Sequence, residues 1–96
     1  MRGSAKYRLA DNSGAITDYD RAIELNPKDA SAYNSRGSAK YRLADISGAI
    51  ADYDRAIELD PKNASAYNSR ANVKGKLGDT SGAAADRQKA EELSTK

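Results

Sequence analysis

The sequence predicts an all-α fold: a right-handed solenoid of about three antiparallel helix pairs. Three observations lead there. A 34-residue segment is repeated almost without change. Apolar residues inside it recur at steps of three and four, the period of a helix face. No stretch alternates apolar and polar residues in the manner of a half-buried strand.

The repeat is carried by long identities. Arg2-Gly3-Ser4-Ala5-Lys6-Tyr7-Arg8-Leu9-Ala10-Asp11 recurs unchanged as Arg36 to Asp45, an offset of 34 residues. Over the whole unit, Arg2 to Ser35 and Arg36 to Ser69 match at 30 of 34 places. They differ only at Asn12/Ile46, Thr17/Ala51, Asn26/Asp60 and Asp29/Asn63. A looser third copy starts at Arg70 and keeps Lys74, Leu77, Asp79, Ser81, Gly82, Ala83, Asp86, Ala90, Glu92 and Leu93. Such a fixed period marks stacked units, each burying a face that its neighbour supplies. The chain is read as one array over residues 1–96, with units at about 2–29, 30–63 and 64–96. Identity this high between units fits recent duplication and engineering equally.

Each unit reads as two helices. In the middle unit Ala32, Tyr33, Arg36, Gly37, Ala39, Lys40 and Leu43 fall at helical steps, with basic residues in two of the seats. The second helix is cleaner, with Ile46, Ala49, Ile50, Tyr53, Ala56 and Ile57 on one apolar stripe. Asp45 suits its N-cap, since a short acceptor side chain takes up a free backbone N–H. Asp60-Pro61 ends it, because a residue before proline avoids the helical region. The first unit has no counterparts of Ala30 to Ser35, so its first helix is expected to be short. Ala15, Ile16, Tyr19 and Ile23 are then less covered than Ala49, Ile50, Tyr53 and Ile57. In the third unit Thr80, Ala84, Arg87 and Glu91 replace Ile46, Ile50, Tyr53 and Ile57. Those replacements suit a polar cap facing water.

The unit resembles the tetratricopeptide repeat, whose pattern is W-x2-L-G-x2-Y…A-x3-F…P. Tyr33 stands at the Trp place and Gly37 at the Gly. Ala49 and Tyr53 stand for A-x3-F, Pro61 for the Pro, and Ala56 for a further small residue. Arg36 at the Leu place and Lys40 at the Tyr place depart from the pattern, with Tyr41 one residue later. The resemblance spans roughly Arg2 to Leu93.

Composition narrows the function classes. Hydrophobic residues are 39% and charged residues 31%, which favours an elongated shape over a compact ball. The 16 basic and 14 acidic residues leave a net charge of only +2. Without Cys or His there are no disulfides, thiolate nucleophiles, imidazole bases or usual zinc ligands. No apolar run approaches the roughly 20 residues of a membrane span, and no signal peptide is visible. A cytoplasmic location is compatible with these features.

Motifs that imitate chemistry have simpler readings. Gly75-Lys76-Leu77-Gly78-Asp79-Thr80-Ser81-Gly82 breaks the order of a phosphate loop and follows no strand, so it reads as a turn between helices. Asp18 with Asp20, and Asp52 with Asp54, diverge on a helix and read as a solvated face. Asn63-Ala64-Ser65 matches a glycosylation triplet by chance. No catalytic residue, metal site or cofactor is expected.

Charge is segregated between helices. The first helices carry Arg2, Lys6, Arg8, Arg36, Lys40, Arg42, Arg70, Lys74 and Lys76, nine bases with no acid before the closing Asp. The second helices carry most of the acids. In the family resembled, first helices line a concave groove that takes peptides. The places carried over are Asn34, Ser38, Tyr41 and Arg42, preceded by Ser4, Tyr7 and Arg8 and followed by Asn68, Asn72 and Lys76. Arg36 and Lys40 are read instead as reaching acids on second helices, their stems covering apolar surface. Tyr33, Tyr53 and Tyr67 are read as core. Some family members grip a terminal carboxylate with a Lys/Asn/Arg clamp; the places aligned with it hold Ser4, Ser35, Ser65 and Ser69, which disfavours a chaperone-tail binder. The reading is a non-enzymatic module binding an extended acidic peptide. Its alternatives are a self-assembling repeat, dimeric through the open N-terminal end, and an excerpt or engineered array without its own ligand. A nucleic-acid partner rests on the nine bases and is disfavoured by the interleaved acids.

Overall fold

The computed structural model describes residues 4–94, with side chains from residue 12 onward. Among these residues there are five helices and no strand: α1 Ser4–Leu25, α2 Ala30–Arg42, α3 Ile46–Leu59, α4 Ala64–Lys76 and α5 Thr80–Ser94. The α2–α3 and α4–α5 pairs are hairpins; α1 packs on α2, and α3 on α4. The result is a short helical-hairpin solenoid. Its radius of gyration is 13.8 Å, against about 12.5 Å for a compact domain of this length. The excess is modest and in the direction expected from composition, with two complete hairpins and one helix stacked into a body of 37 × 32 × 23 Å.

Local chemistry sets the helix ends. The side chains of Asp29, Asp45, Asn63 and Asp79 accept from the backbone N–H of Ala32, Gly48, Ala66 and Gly82 at 3.2, 3.0, 3.2 and 2.9 Å. Each satisfies a donor that the first helical turn leaves open. Asn63, first residue of the glycosylation-like triplet, is thereby a helix cap. Pro61 follows the end of α3, as read from the sequence. The turn after α2 puts Ala44 at φ 69°, and the turn after α4 puts Gly78 at φ 86°. Glycine takes that conformation freely, whereas alanine loses about 1–2 kcal/mol. The phosphate-loop imitation is this second turn.

The first unit departs from expectation. Its short first helix and its second helix are one continuous helix of 22 residues. Ala10 stays helical where Ala44, in an identical ten-residue sequence, turns. Alanine is the best helix former, so local preference runs straight through Ala10. At Ala44 that preference is overridden, because α2 is packed against α1, α3 and α4 at once.

Small residues bring the helices close. Ala49, Ala56, Ala66, Ala71, Ala83 and Ala90 are fully buried around Tyr53 and Val73, the two largest buried side chains. Tyr41, Ile46 and Ile50 pack against this core. A Cβ on Gly37 would lie 2.8 Å from the Tyr53 ring, closer than packed atoms tolerate. In the third unit Arg87 replaces that tyrosine and Ala71 replaces the glycine. Arg87, Glu91, Thr80 and Ala84 are exposed, as a polar cap requires. Tyr33 and Tyr67, expected in the core, are only half-buried. Their ring faces are covered by the guanidinium groups of Arg36 and Arg70, at 5.4 and 5.5 Å from the centroids.

Truncating Tyr53 to alanine should therefore cost roughly 3–5 kcal/mol of unfolding free energy. Arg87→Ala, at the equivalent but exposed place, should cost no more than about 0.5 kcal/mol. Denaturant unfolding of both variants checks this; equal losses would contradict the assignment of α5 as a cap.

Candidate functional site

Among the described residues, four of the six basic residues on α2 and α4 are engaged by acids of neighbouring helices. Arg36 donates through Nε and Nη2 to both oxygens of Asp52 on α3, at 2.9 and 2.8 Å. Its Nη1 reaches Asp20 on α1 at 2.8 Å. Lys40 adds a third contact to Asp52 at 3.2 Å. One repeat later the pattern returns. Arg70 holds both oxygens of Asp86 on α5 at 2.8 Å and reaches Asp54 on α3 at 2.7 Å. Lys74 lies 3.3 Å from Asp86. Arg36 and Lys40 thus reach acids on neighbouring helices, as expected; Asp18 and Asp20 are exposed, as a solvated face requires, but Asp52 is not. The members of each pair do diverge, and in the middle unit each meets the arginine of a different helix. Asp52 and Asp86 are buried, with side chains 5% and 6% exposed.

The electrostatics follow from these contacts. The hydrogen bond to Asp52 raises the Arg36 pKa; burial opposes it, and Asp20 adds to the rise. Arg70 is raised in the same way by Asp86 and Asp54. Burial pushes the Asp86 carboxyl up, yet the hydrogen bonds and charges of Arg70 and Lys74 outweigh it and leave Asp86 below its ordinary value. These four bases are thus neutralised inside the stack.

Other polar residues line a recess of about 310 Å³ between α2 and α4. Ser38, Tyr41 and Arg42 come from α2, Ser69 and Asn72 from α4, and Tyr53 of α3 lines it as well. The Tyr53 hydroxyl lies 3.0 Å from Ser38 Oγ. A tyrosine at the family's Phe place therefore fills the core with its ring and presents a hydroxyl to the recess. Arg42 is exposed at the end of α2 and makes no ion pair among the described residues. Its charge suits the helix C-terminus and is also free to meet an anion.

Four of the carried-over residues, Ser38, Tyr41, Arg42 and Asn72, meet in this recess. Ser69, aligned with the absent carboxylate clamp, joins them there. Tyr41 also packs on the core. Asn34 does not line this recess and joins two helices. Its Nδ2 donates to Ser65 Oγ at 3.2 Å, tying α2 to α4, and its Oδ1 is buried without a partner. Asn68 lines a separate recess with Arg87, Ala90, Glu91 and Ser94. Lys76 is exposed at the end of α4. The side chains of Ser4, Tyr7 and Arg8 lie outside the described residues. No helix among the described residues is long and apolar enough to cross a membrane.

Comparisons with known proteins agree with this architecture. The sequence model of a family described as TPR repeat matches residues 3–43 and 45–78. The solved TPR domain of Arabidopsis OM64 is 33% identical at a TM-score of 0.85, with 96% of this chain and 76% of that chain covered. The crystal structure of MamA is 29% identical at a TM-score of 0.85; 97% of this chain spans 54% of that chain. The first TPR of Spaghetti (RPAP3), bound to the HSP90 peptide SRMEEVD, shares the fold at a TM-score of 0.85 and 24% identity, over 96% of this chain and 73% of that chain. No curated protein sequence matches the chain.

The depressed Asp86 pKa fixes a pH dependence. Its folded value lies below the ordinary 3.8, so its ion pair contributes stability above that pH and loses it as pH falls through the folded value. Asp86→Asn should be less stable than the parent at neutral pH, and the gap should close below about pH 3.8. Urea titrations between pH 7 and 2 measure it; a constant gap would contradict the pairing.

Proposed function

Because the chain belongs to the tetratricopeptide repeat family, we propose that it is a protein-interaction module that receives an extended acidic peptide across α2 and α4. Proteins of this fold commonly mediate protein–protein contacts. The observation that carries the finer reading is the sorting of the bases. Arg36, Lys40, Arg70 and Lys74 are bound to Asp52, Asp86 and their neighbours. Arg42 is left with an open charge beside hydroxyl and amide groups in a recess. An arginine next to a tyrosine is a common anchor pair at interfaces, and Ser38, Ser69 and Asn72 add donors for carboxylate or backbone oxygens.

The same sorting weakens a nucleic-acid reading. Phosphate binding draws on Lys and Arg charges available to the backbone, and four of the nine are already paired with acids. The Spaghetti (RPAP3) domain, related in fold alone, is bound to a peptide containing three acids, SRMEEVD. That likeness lends support to a peptide-binding reading without bearing on which segment this chain takes. Nothing in the recess resembles the constellation of a nucleophile and base, and the module is proposed to act by binding.

Isothermal titration with an extended acidic peptide should give a dissociation constant on the order of micromolar. Binding should weaken as salt rises, since exposed charges are screened. Arg42→Glu should weaken it roughly tenfold or more without changing the circular dichroism spectrum. Equal binding by that variant at every salt concentration would place the ligand elsewhere.

A further inference from the structure

Tyr53 carries a hydroxyl that packing does not need. The residue is 2% exposed and packs with Ala49 and Val73 in the core. A phenylalanine ring fills the same space, and the family's pattern has Phe at this place. The hydroxyl instead serves the recess between α2 and α4. Tyr53 is the one buried residue of those lining it, while Arg42 and Asn72 are exposed. Tyr53 therefore forms the floor and Arg42 stands at the mouth.

The recess holds a surplus of donors. Every lining side chain can donate a hydrogen bond, and none is an acid. The Tyr53 hydroxyl and Ser38 Oγ lie 3.0 Å apart. Together they hold two protons and share one hydrogen bond, so one O–H is left over. No other hydrogen bond of either hydroxyl is found among the described residues. In the third unit Arg87 and Asn72 stand at the places of Tyr53 and Ser38. The hydroxyl pair is thus no part of what stacks one hairpin on the next.

We propose that the Tyr53 hydroxyl is the specificity-determining donor of this recess, and that it takes one side-chain carboxylate of the peptide. The proposal rests on the reading of the recess as a peptide site. The bound arrangement is a chain of hydrogen bonds. Ser38 O–H donates to the Tyr53 oxygen, Tyr53 O–H donates to the carboxylate, and Arg42 meets the same charge from the mouth. The phenol takes the end of the chain because it is the more acidic hydroxyl, and a bond to an ionised acceptor is roughly twice as strong as a neutral one. Ser38 is a positioning residue that orients and polarises the phenol. The charge count selects the acceptor. Arg42 brings one open positive charge, which one carboxylate balances. A phosphate monoester carries about −1.5 to −2 and is only partly balanced. A glutamine side chain has the same shape as glutamate but gives Arg42 no charge to meet.

Isothermal titration of the full chain tests this with three capped peptides: alternating Glu and Ser, and the same peptide with Gln or phosphoserine in place of Glu. The parent should bind the Glu peptide most tightly. Tyr53→Phe should weaken the Glu peptide roughly tenfold and leave the Gln peptide within about twofold, with an unchanged circular dichroism spectrum. Ser38→Ala should weaken the Glu peptide only about twofold. A larger loss in Ser38→Ala than in Tyr53→Phe would make Ser38 the donor and overturn the assignment. Equal losses for the Glu and Gln peptides in Tyr53→Phe would reduce the hydroxyl to a structural role and overturn it as well. Tighter binding of the phosphoserine peptide would overturn the carboxylate as the ligand. If Arg42→Glu weakens the Glu peptide and Tyr53→Phe does not, the peptide site stands and the role of Tyr53 falls. If neither variant weakens it, both fall.

Discussion

Two guanidinium groups hold the stack in register. Arg36 joins α2 to acids on α1 and α3, and Arg70 joins α4 to acids on α3 and α5. The geometry depends on aspartates two residues apart on the intervening helix. Asp52 points to its own hairpin partner and Asp54 to the next, so α3 is bonded on both sides. A carboxylate as buried as Asp52 or Asp86 is tolerable only because a bidentate arginine and a lysine surround it; removal of one partner leaves an uncompensated charge. In the last unit Gln88 stands where Asp20 and Asp54 stand. The charge pattern thus stops where the apolar outer face stops, and both mark α5 as an end.

This internal use of charge shapes the binding surface. A chain with nine bases on its first helices would present a basic face if they were solvated. Pairing withdraws four of them, leaving Arg42 and Lys76 exposed on that side of the described residues. The ring of Tyr53 fixes the spacing of α2 and α3 against Gly37, and its hydroxyl places Ser38 at the recess. Stability and recognition therefore share residues, and the recess is built on the packed core rather than on a loop.

Much of the fold was legible because the repeat displays its own period, and the caps at Asp45 and Asp60-Pro61 follow local rules that hold regardless of context. The paired role of Arg36 and Lys40 was legible from segregated charge. What was not legible depends on neighbours. Burial of Asp52 comes from two basic side chains on another helix, which no spacing within α3 announces. Asn34 looks like a groove residue by register, yet its amide is within reach of Ser65 across α4. The unbroken α1 is hidden from the sequence because the same ten residues do turn at Ala44, where packing on three sides overrides alanine's preference. The role of Ser69 requires two helices to be brought together before the recess exists.

The claim on which everything else rests is that Arg70 and Asp86 act as one unit. A double-mutant cycle with Arg70→Met and Asp86→Asn, read by denaturant unfolding at neutral pH, measures it directly. Coupling of about 1–3 kcal/mol, with the double variant losing much less than the two single losses combined, is the result the clamp predicts. Losses that add to within about 0.5 kcal/mol would show that the two side chains are neighbours without being partners.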